Sequence, residues 1–309
     1  MSTSHTGTGR ISRMNMRPMT LYESGDSNGS VSIKNLFKKQ EEIAVKSDLK
    51  LQNLAYVICR GGWPKVIDQT EKIALRQAYD YYDAVVESDI SFADEVSRNP
   101  QRVKLLMRSY SRYISSDAKV SSIRADMISN ETDTLSDETI YSYINALKRI
   151  FVIENLTAWN PNLRSKTPIR VSDKRHFVDP SIAVAALGIG PVDLLNDLKT
   201  MGFFFESMCV RDLRVYAEAL DGTVYHYQDK SGLECDAVVH LRNGSYGLVE
   251  MKLGGKAIDD AAKNLLLLKS KINTDKMKEP SFLMILTGTE FGYRREDGIY
   301  VLPCGCLGL

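Results

Sequence analysis

Apolar positions recur in two rhythms along this chain, and the change of rhythm divides it. From Ile33 to about Asn99 the spacing is helical, broken at "RGGWPKV", where Gly61, Gly62 and Pro64 force a turn. Within that stretch "LRQAYDYYDAVVESDI" reads as one amphipathic helix with an acidic rim. Between Arg102 and Arg175, helices are expected around "RVKLLMRSYSRYI" and "KVSSIRADMI", and a third begins in "LSDETIYSYINALKRIF". Ser136 is placed to cap the third helix, with Asp137 and Glu138 in its first turn. Ile140, Ile144, Leu147 and Phe151 then fall on one buried stripe. Strand-like "VIENLTAW" and "PIRVS" follow, and the whole describes a helix-turn-helix with a wing.

From about Ile182 helix and strand alternate. "VDLLNDLKTMGFFFESMCVRDLRVYAEAL" predicts one long helix whose stripe includes Leu194, Leu198, Met201, Phe205, Cys209 and Tyr216. Strands are expected at "TVYHYQD", "LECDAVVHL", "SYGLVEMKL", "SFLMILTGT" and "GIYVL", with a helix at "AIDDAAKNLLLLKSKI". The fold class is therefore α/β of the α+β kind, a mixed sheet with flanking helices. Four divisions follow: 1–30, whose "RISRMNMRPM" is strand-like and whose "ESGDSNGSVS" is a linker by composition; a helical 31–99; a winged-helix-like 100–180; and the mixed sheet of 181–309. A lone N-terminal strand has no partner for its backbone groups, so it frays or belongs to a sheet made elsewhere.

Alternation along two of these strands singles out four charges. In "LECDAVVHL" Leu233, Cys235, Ala237, Val239 and Leu241 share one apolar face, and Glu234, Asp236, Val238 and His240 lie on the other. In "YGLVEMK" Val249 and Met251 share the apolar face, and Glu250 and Lys252 the polar one. A two-residue Asn243-Gly244 turn would set Asp236 across from Met251; a three-residue loop, Arg242-Asn243-Gly244, sets Asp236 opposite Glu250 and merges the apolar faces. Burial of a whole strand face outweighs a turn preference, which selects the three-residue loop.

Composition narrows the setting. The chain has 309 residues, 43% apolar and 26% charged, with a net charge of +1, so a nucleic-acid surface must be a local patch. Such a patch exists between Arg164 and Arg175, where Arg164, Lys166, Arg170, Lys174 and Arg175 face one Asp173; it reads either as a solvated loop or as a phosphate-contacting wing. Thr139, Ser142, Asn145, Lys148 and Arg149 fall on the exposed side of the third helix, where duplex DNA would be gripped. Five scattered cysteines argue against a disulfide framework, and Cys304-Gly-Cys306 lacks a second pair for zinc. No apolar run suits a membrane span and no leader pattern opens the chain, so a cytoplasmic protein with no membrane partner is expected.

Two carboxylates side by side are unfavourable unless a cation lies between them, and Mg²⁺ or Mn²⁺ is the natural one. Lys252 beside them would face a phosphate or the hydroxide attacking it. His226 and His240 have no paired ligands, and Glu234 stands further from Glu250.

"ECD" followed by "EMK" resembles the metal site of the PD-(D/E)xK nuclease superfamily. "RGGWPKV", "TIYSYINALKRIFVIENLTAWNPN", "HFVDPSIAVAALG", "GFFFESMCVRDL", "YHYQDKSGLECDAVVHL" and "LVEMKLGG", in that order, are similar to the C-terminal half of a large group of prokaryotic AAA-type ATPases. The resemblance runs over nearly the whole chain. It implies a C-terminal domain of unknown function with a restriction-endonuclease-like core over 181–309, and a helical lid over 31–99. "HTGTGRISRMNMRPMTLYES" is similar to the last core strand of the ATPase module. The chain holds no GxxxxGK[ST] loop and no acidic strand before that point, so no ATP site is expected, and a truncated gene or a mis-set start is implied. An arginine such as Arg10 or Arg17 could still serve an intact ATPase subunit as partner. In the nuclease superfamily a helix ahead of the sheet brings a further glutamate, and Glu206 in "GFFFES" matches it, with Gly202 one turn earlier leaving room.

The first reading is therefore a metal-dependent nuclease in which Glu206, Asp236 and Glu250 hold the ion and Lys252 acts at the phosphate, while the basic positions read from the sequence, Lys148, Arg149, Arg164, Lys166 and Arg170, meet nucleic acid, DNA above all. Two other readings stay open: a non-catalytic DNA- or protein-binding module, and an inactive fragment of an ATP-driven machine.

Overall fold

The computed structural model describes residues 14–38, 42–94, 96–128, 135–160 and 172–309. Its main helices are α1 (Leu51–Arg60), α2 (Glu71–Ala84), α3 (Pro100–Arg112), α4 (Val120–Ile128), α5 (Asp137–Arg149), α6 (Pro180–Leu187), α7 (Leu198–Ala219) and α8 (Ile258–Lys271). Strands β1 (Ala44–Lys46), β2 (Gly222–Gln228), β3 (Glu234–Leu241), β4 (Tyr246–Lys252), β5 (Phe282–Thr287), β6 (Phe291–Arg294) and β7 (Tyr300–Pro303) form a seven-stranded sheet in the order β1-β6-β7-β5-β4-β3-β2. β2, β3 and β4 make an antiparallel meander, while β4, β5 and β7 run parallel. Parallel neighbours need a crossover, and α8 supplies the one from β4 to β5.

The hairpin between β3 and β4 follows the expected register. Ala237 pairs with Val249, Val238 with Leu248, Val239 with Gly247 and His240 with Tyr246. Leu241 donates its N–H to the Ser245 carbonyl at 2.8 Å, which leaves Arg242-Asn243-Gly244 as the loop, and Gly244 adopts φ +82°.

The faces of this hairpin differ from expectation. Both are covered, one by α7 and one by α8, so even-numbered Val238, Tyr246 and Leu248 are as buried as odd-numbered Ala237, Val239 and Val249. A strand with a helix on each side loses its polar face, as parallel-sheet proteins commonly do.

Two helices also depart from the sequence pattern. The long helix expected from Val192 is broken at Asp197 (φ −131°, ψ 80°), whose Oδ1 accepts the Thr200 N–H at 3.0 Å and caps α7. Leu198, just past the break, is exposed rather than on the buried stripe. Ser136 caps α5 through the Thr139 N–H at 3.2 Å, and Ile140, Ile144 and Leu147 are buried. Phe151 leaves that stripe and is exposed, because α5 ends at Arg149 and Phe151 turns into a left-handed conformation at φ +57°. After α5, Ile153 bridges Phe177 and Leu156 bridges Lys174 in antiparallel fashion, and Ala158 bridges His226 of β2. Most of "PIRVS" lies outside the described residues, and the return pairing is made by Lys174 and Phe177.

The stretch that reads as a linker is packed instead. Val31–Ser32 runs parallel to Leu307–Gly308, the Ser27 hydroxyl donates to the Leu307 carbonyl at 2.7 Å, and the Leu21 N–H donates to Asp212 Oδ2 at 3.0 Å. Arg17 is tied to Glu154 at 2.7 Å and to Glu218, so it is engaged within the chain; Arg10 lies outside the described residues. Beneath this segment Arg211 on α7 pairs with Asp179 at 2.8 Å and with Asp212 at 2.7 Å. Asp179 also accepts the Gly62 N–H at 2.9 Å, so the "RGGWP" turn, α6 and α7 share one buried ionic knot.

Candidate functional site

Five charged side chains from four segments meet at the end of the β3–β4 hairpin. Asp236 is central. Its Oδ2 accepts the Met251 N–H at 2.9 Å and lies 3.1 Å from Lys252 Nζ, while Oδ1 lies 3.3 Å from Lys174 Nζ. Lys252 Nζ also reaches Glu250 Oε2 at 2.6 Å, and Lys174 Nζ reaches Glu206 Oε1 at 2.9 Å. The order is a chain of alternating charge: Glu206, Lys174, Asp236, Lys252, Glu250.

A local irregularity aims Asp236. Tyr225 pairs with Val238 but Tyr227 pairs with Cys235, so His226 alone faces Asp236 and Ala237 across the β2–β3 ladder. An extra residue of this kind is a β-bulge, which bends the strand and redirects side chains. Its effect shows in the packing: Leu233 and Cys235 join the core under α8, whereas Ala237 and Val239 join the core under α7. The five odd positions therefore do not share a face, and Asp236 sits where the strand changes sides. The β3–β4 ladder reaches Ala237 and Val249; one step on, the Asp236 carboxylate itself takes the Met251 N–H.

Glu206 comes from α7, one turn after Gly202, where an added Cβ would meet nothing within 4 Å. The site is buried at one end and open at the other: Lys174 is 9% exposed in its side chain, Glu250 4% and Lys252 28%.

Electrostatics follows from three carboxylates sharing two ammonium groups. Burial raises the pKa of Glu250, the Asp236 charge adds to the rise, and Lys252 only partly offsets it. Glu206 is raised in the same way by burial and Asp236, against Lys174. For Asp236 burial also pushes upward, but Lys174, Lys252 and the Met251 N–H outweigh it and hold the group low, at about 2. The lysines lose hydration too, yet their carboxylate neighbours keep both pKa values above the ordinary range.

Carboxylate oxygens are hard donors of the type Mg²⁺ or Mn²⁺ takes, and Glu206 Oε2 and Glu250 Oε1 stand outside the ion pairs just described. In donor chemistry the residues fit a divalent ion. In spacing they are held by lysines: among the described residues no three His, Cys, Asp or Glu side chains are gathered closely enough to hold a metal.

Sequence reasoning brought Glu206, Asp236, Glu250 and Lys252 forward but not Lys174, which the basic run assigned to the wing. Lys174 alternates with Arg175, so the two point apart: Lys174 turns inward and Arg175 Nε donates to the Ala118 carbonyl at 3.1 Å. His176, two residues on, bonds Ser207 at 3.1 Å, and burial holds its pKa well below the ordinary value. The signal for all of this was the period of two in "DKRHF", whose partner strand local pattern does not disclose. His240 lies in an aromatic group with Trp159, Tyr225 and Tyr246.

The proposed nucleic-acid residues are not gathered here. Lys148 and Arg149 are exposed at the end of α5, with Arg149 3.7 Å from Asp94. Ser142, on the same helix, receives an Arg98 guanidinium N–H at 3.3 Å. Arg164, Lys166 and Arg170 lie outside the described residues.

Over residues 51–193 the chain is similar to a family described as a domain of unknown function (DUF8612), and over 201–307 to another so described (DUF4143). The implied C-terminal domain of unknown function is met at that level; the nuclease core is not part of either description. Glu206, Asp236, Glu250 and Lys252 fall in the second match and Lys174 in the first, so the site is assembled across both. Among solved structures the chain is similar, at 12% identity and a TM-score of 0.25, to the refined half-complex from a tetradecameric assembly of Thermococcus gammatolerans McrB AAA+ hexamers with bound McrC, with 64% of this chain and 70% of that one covered. A likeness that weak carries no argument about the site. No curated protein sequence matches the chain. Among the described residues no helix is long and apolar enough to cross a membrane.

Proposed function

We propose that this chain is a divalent-metal-dependent phosphodiesterase acting on nucleic acid, DNA above all, and that it derives from an AAA-type ATPase while holding no ATP site of its own. One observation carries the reading: Glu206, Asp236, Glu250 and Lys252 meet around the bulged end of the β3–β4 hairpin. Glu206, Asp236 and Glu250 would hold the ion. Such an ion, when bound, supplies Lewis acidity and an acidified water. The chain's own part is positional. The bulge fixes Asp236, the Met251 N–H locks its carboxylate, and Lys252, the most exposed of the group, presents an ammonium to an incoming phosphate oxygen. Glu250 is suited to keep a proton, or to release it, as a substrate charge arrives.

Nicking of supercoiled plasmid in Mn²⁺ tests the reading. Activity in the natural chain, lost in both Lys252→Ala and Asp236→Asn, is expected; no nicking by the natural protein rejects it. A second reading draws on the lysine pairs, which compensate most of the carboxylate charge: the cluster is then an ionic clasp in a non-catalytic DNA- or protein-binding module, or in a fragment that works beside an intact ATPase subunit. Under that reading both variants lose stability, and Mn²⁺ produces no nicking.

A further inference from the structure

We propose that Lys174 is a tethered counter-cation that occupies the bridging position between Glu206 and Asp236, so that a divalent ion and the Lys174 ammonium compete for those carboxylates. The inference rests on the metal-binding part of the reading above and specifies how it is controlled.

Three observations carry it. First, Lys174 Nζ lies between the two carboxylates, 2.9 Å from Glu206 Oε1 and 3.3 Å from Asp236 Oδ1, with its side chain 9% exposed. A cation that bridges a helix carboxylate to a strand carboxylate would use the same oxygens. Second, its backbone is fixed: Lys174 N–H and Leu156 N–H exchange hydrogen bonds with each other's carbonyls at 2.9 Å, and Arg175 N–H donates to the Ser116 carbonyl at 2.7 Å. Exchange therefore needs only rotation of a four-carbon side chain, with no movement of a segment. Third, the charges favour it. Three carboxylates with two lysines leave one negative charge; a dication in place of the Lys174 ammonium leaves none. Opposing the exchange is the loss of two short ion pairs in a poorly hydrated place.

The two lysines are not equivalent. Lys252 spans Asp236 Oδ2 and Glu250 at the open end, where a substrate anion can reach it, and it belongs to the same strand as Glu250. Lys174 comes from a different matched region, beside the Leu156 bridge. Whatever shifts that pairing moves the competing cation, so ion occupancy and the segment after α5 are linked.

Calorimetric Mn²⁺ titration of the full chain, with thermal melting, tests this in the natural protein, Lys174→Gln, Lys174→Met and the double variant Lys174→Gln/Asp236→Asn. The glutamine variant is expected to bind Mn²⁺ at least tenfold more tightly than the natural chain. Its lowered melting temperature should rise on adding Mn²⁺, and the double variant should not respond. Equal or weaker binding by both single variants overturns the inference and leaves the metal-dependent reading intact. Binding by the variants alone supports the inference and removes metal-dependent catalysis by the natural chain. Binding by none overturns both. Should neither variant fold, amine-directed labelling of the natural chain decides: labelling at Lys174 must increase when Mn²⁺ is bound, and unchanged protection overturns the inference.

Discussion

Arg211 Nη1 lies 2.8 Å from Asp179 Oδ2, and both side chains are almost wholly withdrawn from solvent. The pair ties α7 to the start of α6 and, through the Gly62 N–H, to the "RGGWP" turn. Removing one partner strands a buried charge. Asp179→Ala is expected to lower stability by about 3–5 kcal/mol, read as a shift of the urea midpoint. Arg76→Ala, which breaks an exposed pair with Asp80 on α2, should leave the midpoint unchanged.

Gly62 tests the same knot sterically. A Cβ there would stand 2.1 Å from the Met19 carbonyl oxygen, whose own N–H accepts no compromise because it already donates to Gly62 at 2.7 Å. Gly62→Ala should therefore cost about 1–3 kcal/mol and loosen the N-terminal segment, which limited proteolysis reports as new cleavage before Val31.

His226 and His176 make stability fall in mild acid. Both are buried; desolvation, with Lys174 nearby, depresses His226 to about 4, and desolvation, with Arg214 and Lys174 nearby, holds His176 well below its ordinary value. The unfolded chain takes up protons near its ordinary value of about 6.5, while the folded chain refuses them. Stability is thus complete above that value and declines as pH drops toward about 4, by up to about 1.4 kcal/mol per pH unit for each histidine. Urea melts between pH 7 and 5 measure the slope; His226→Gln should reduce it, and an unchanged slope refutes the assignment.

Lys252→Ala separates chemistry from ion binding. If Lys252 stabilises developing charge at phosphorus, turnover should fall by about 100-fold or more while Mn²⁺ affinity stays the same or tightens. A parallel loss of affinity would make its role that of a ligand support.

Lys148 and Arg149 offer a test of nucleic-acid contact. If each meets one phosphate, the double alanine variant should lower the slope of log affinity against log salt by about 2, measured by fluorescence anisotropy on duplex DNA. An unchanged slope places the contact elsewhere.

What the sequence disclosed was local and periodic. The hairpin register could be read because one left-handed glycine and two alternating strands leave a single solution that keeps both strands packed. The Asp197 break was missed, although Asp197 and Thr200 form an N-cap signature ahead of α7. The bulge at Asp236 was not readable, because it exists only relative to β2. Lys174 was hidden for the same reason: its direction is set by pairing with Leu156, and a basic run around it suggested solvent. Covered faces on both sides of the hairpin depend on where α7 and α8 land, which strand parity does not encode.

The parallel pairing of Val31–Ser32 with Leu307–Gly308 has a temporal side. During synthesis Val31–Ser32 must wait until Leu307–Gly308 have left the ribosome before it can seat, so this contact is made late. Disrupting Leu307–Gly308 would accordingly unfasten the segment around Ser27, 280 residues away in sequence.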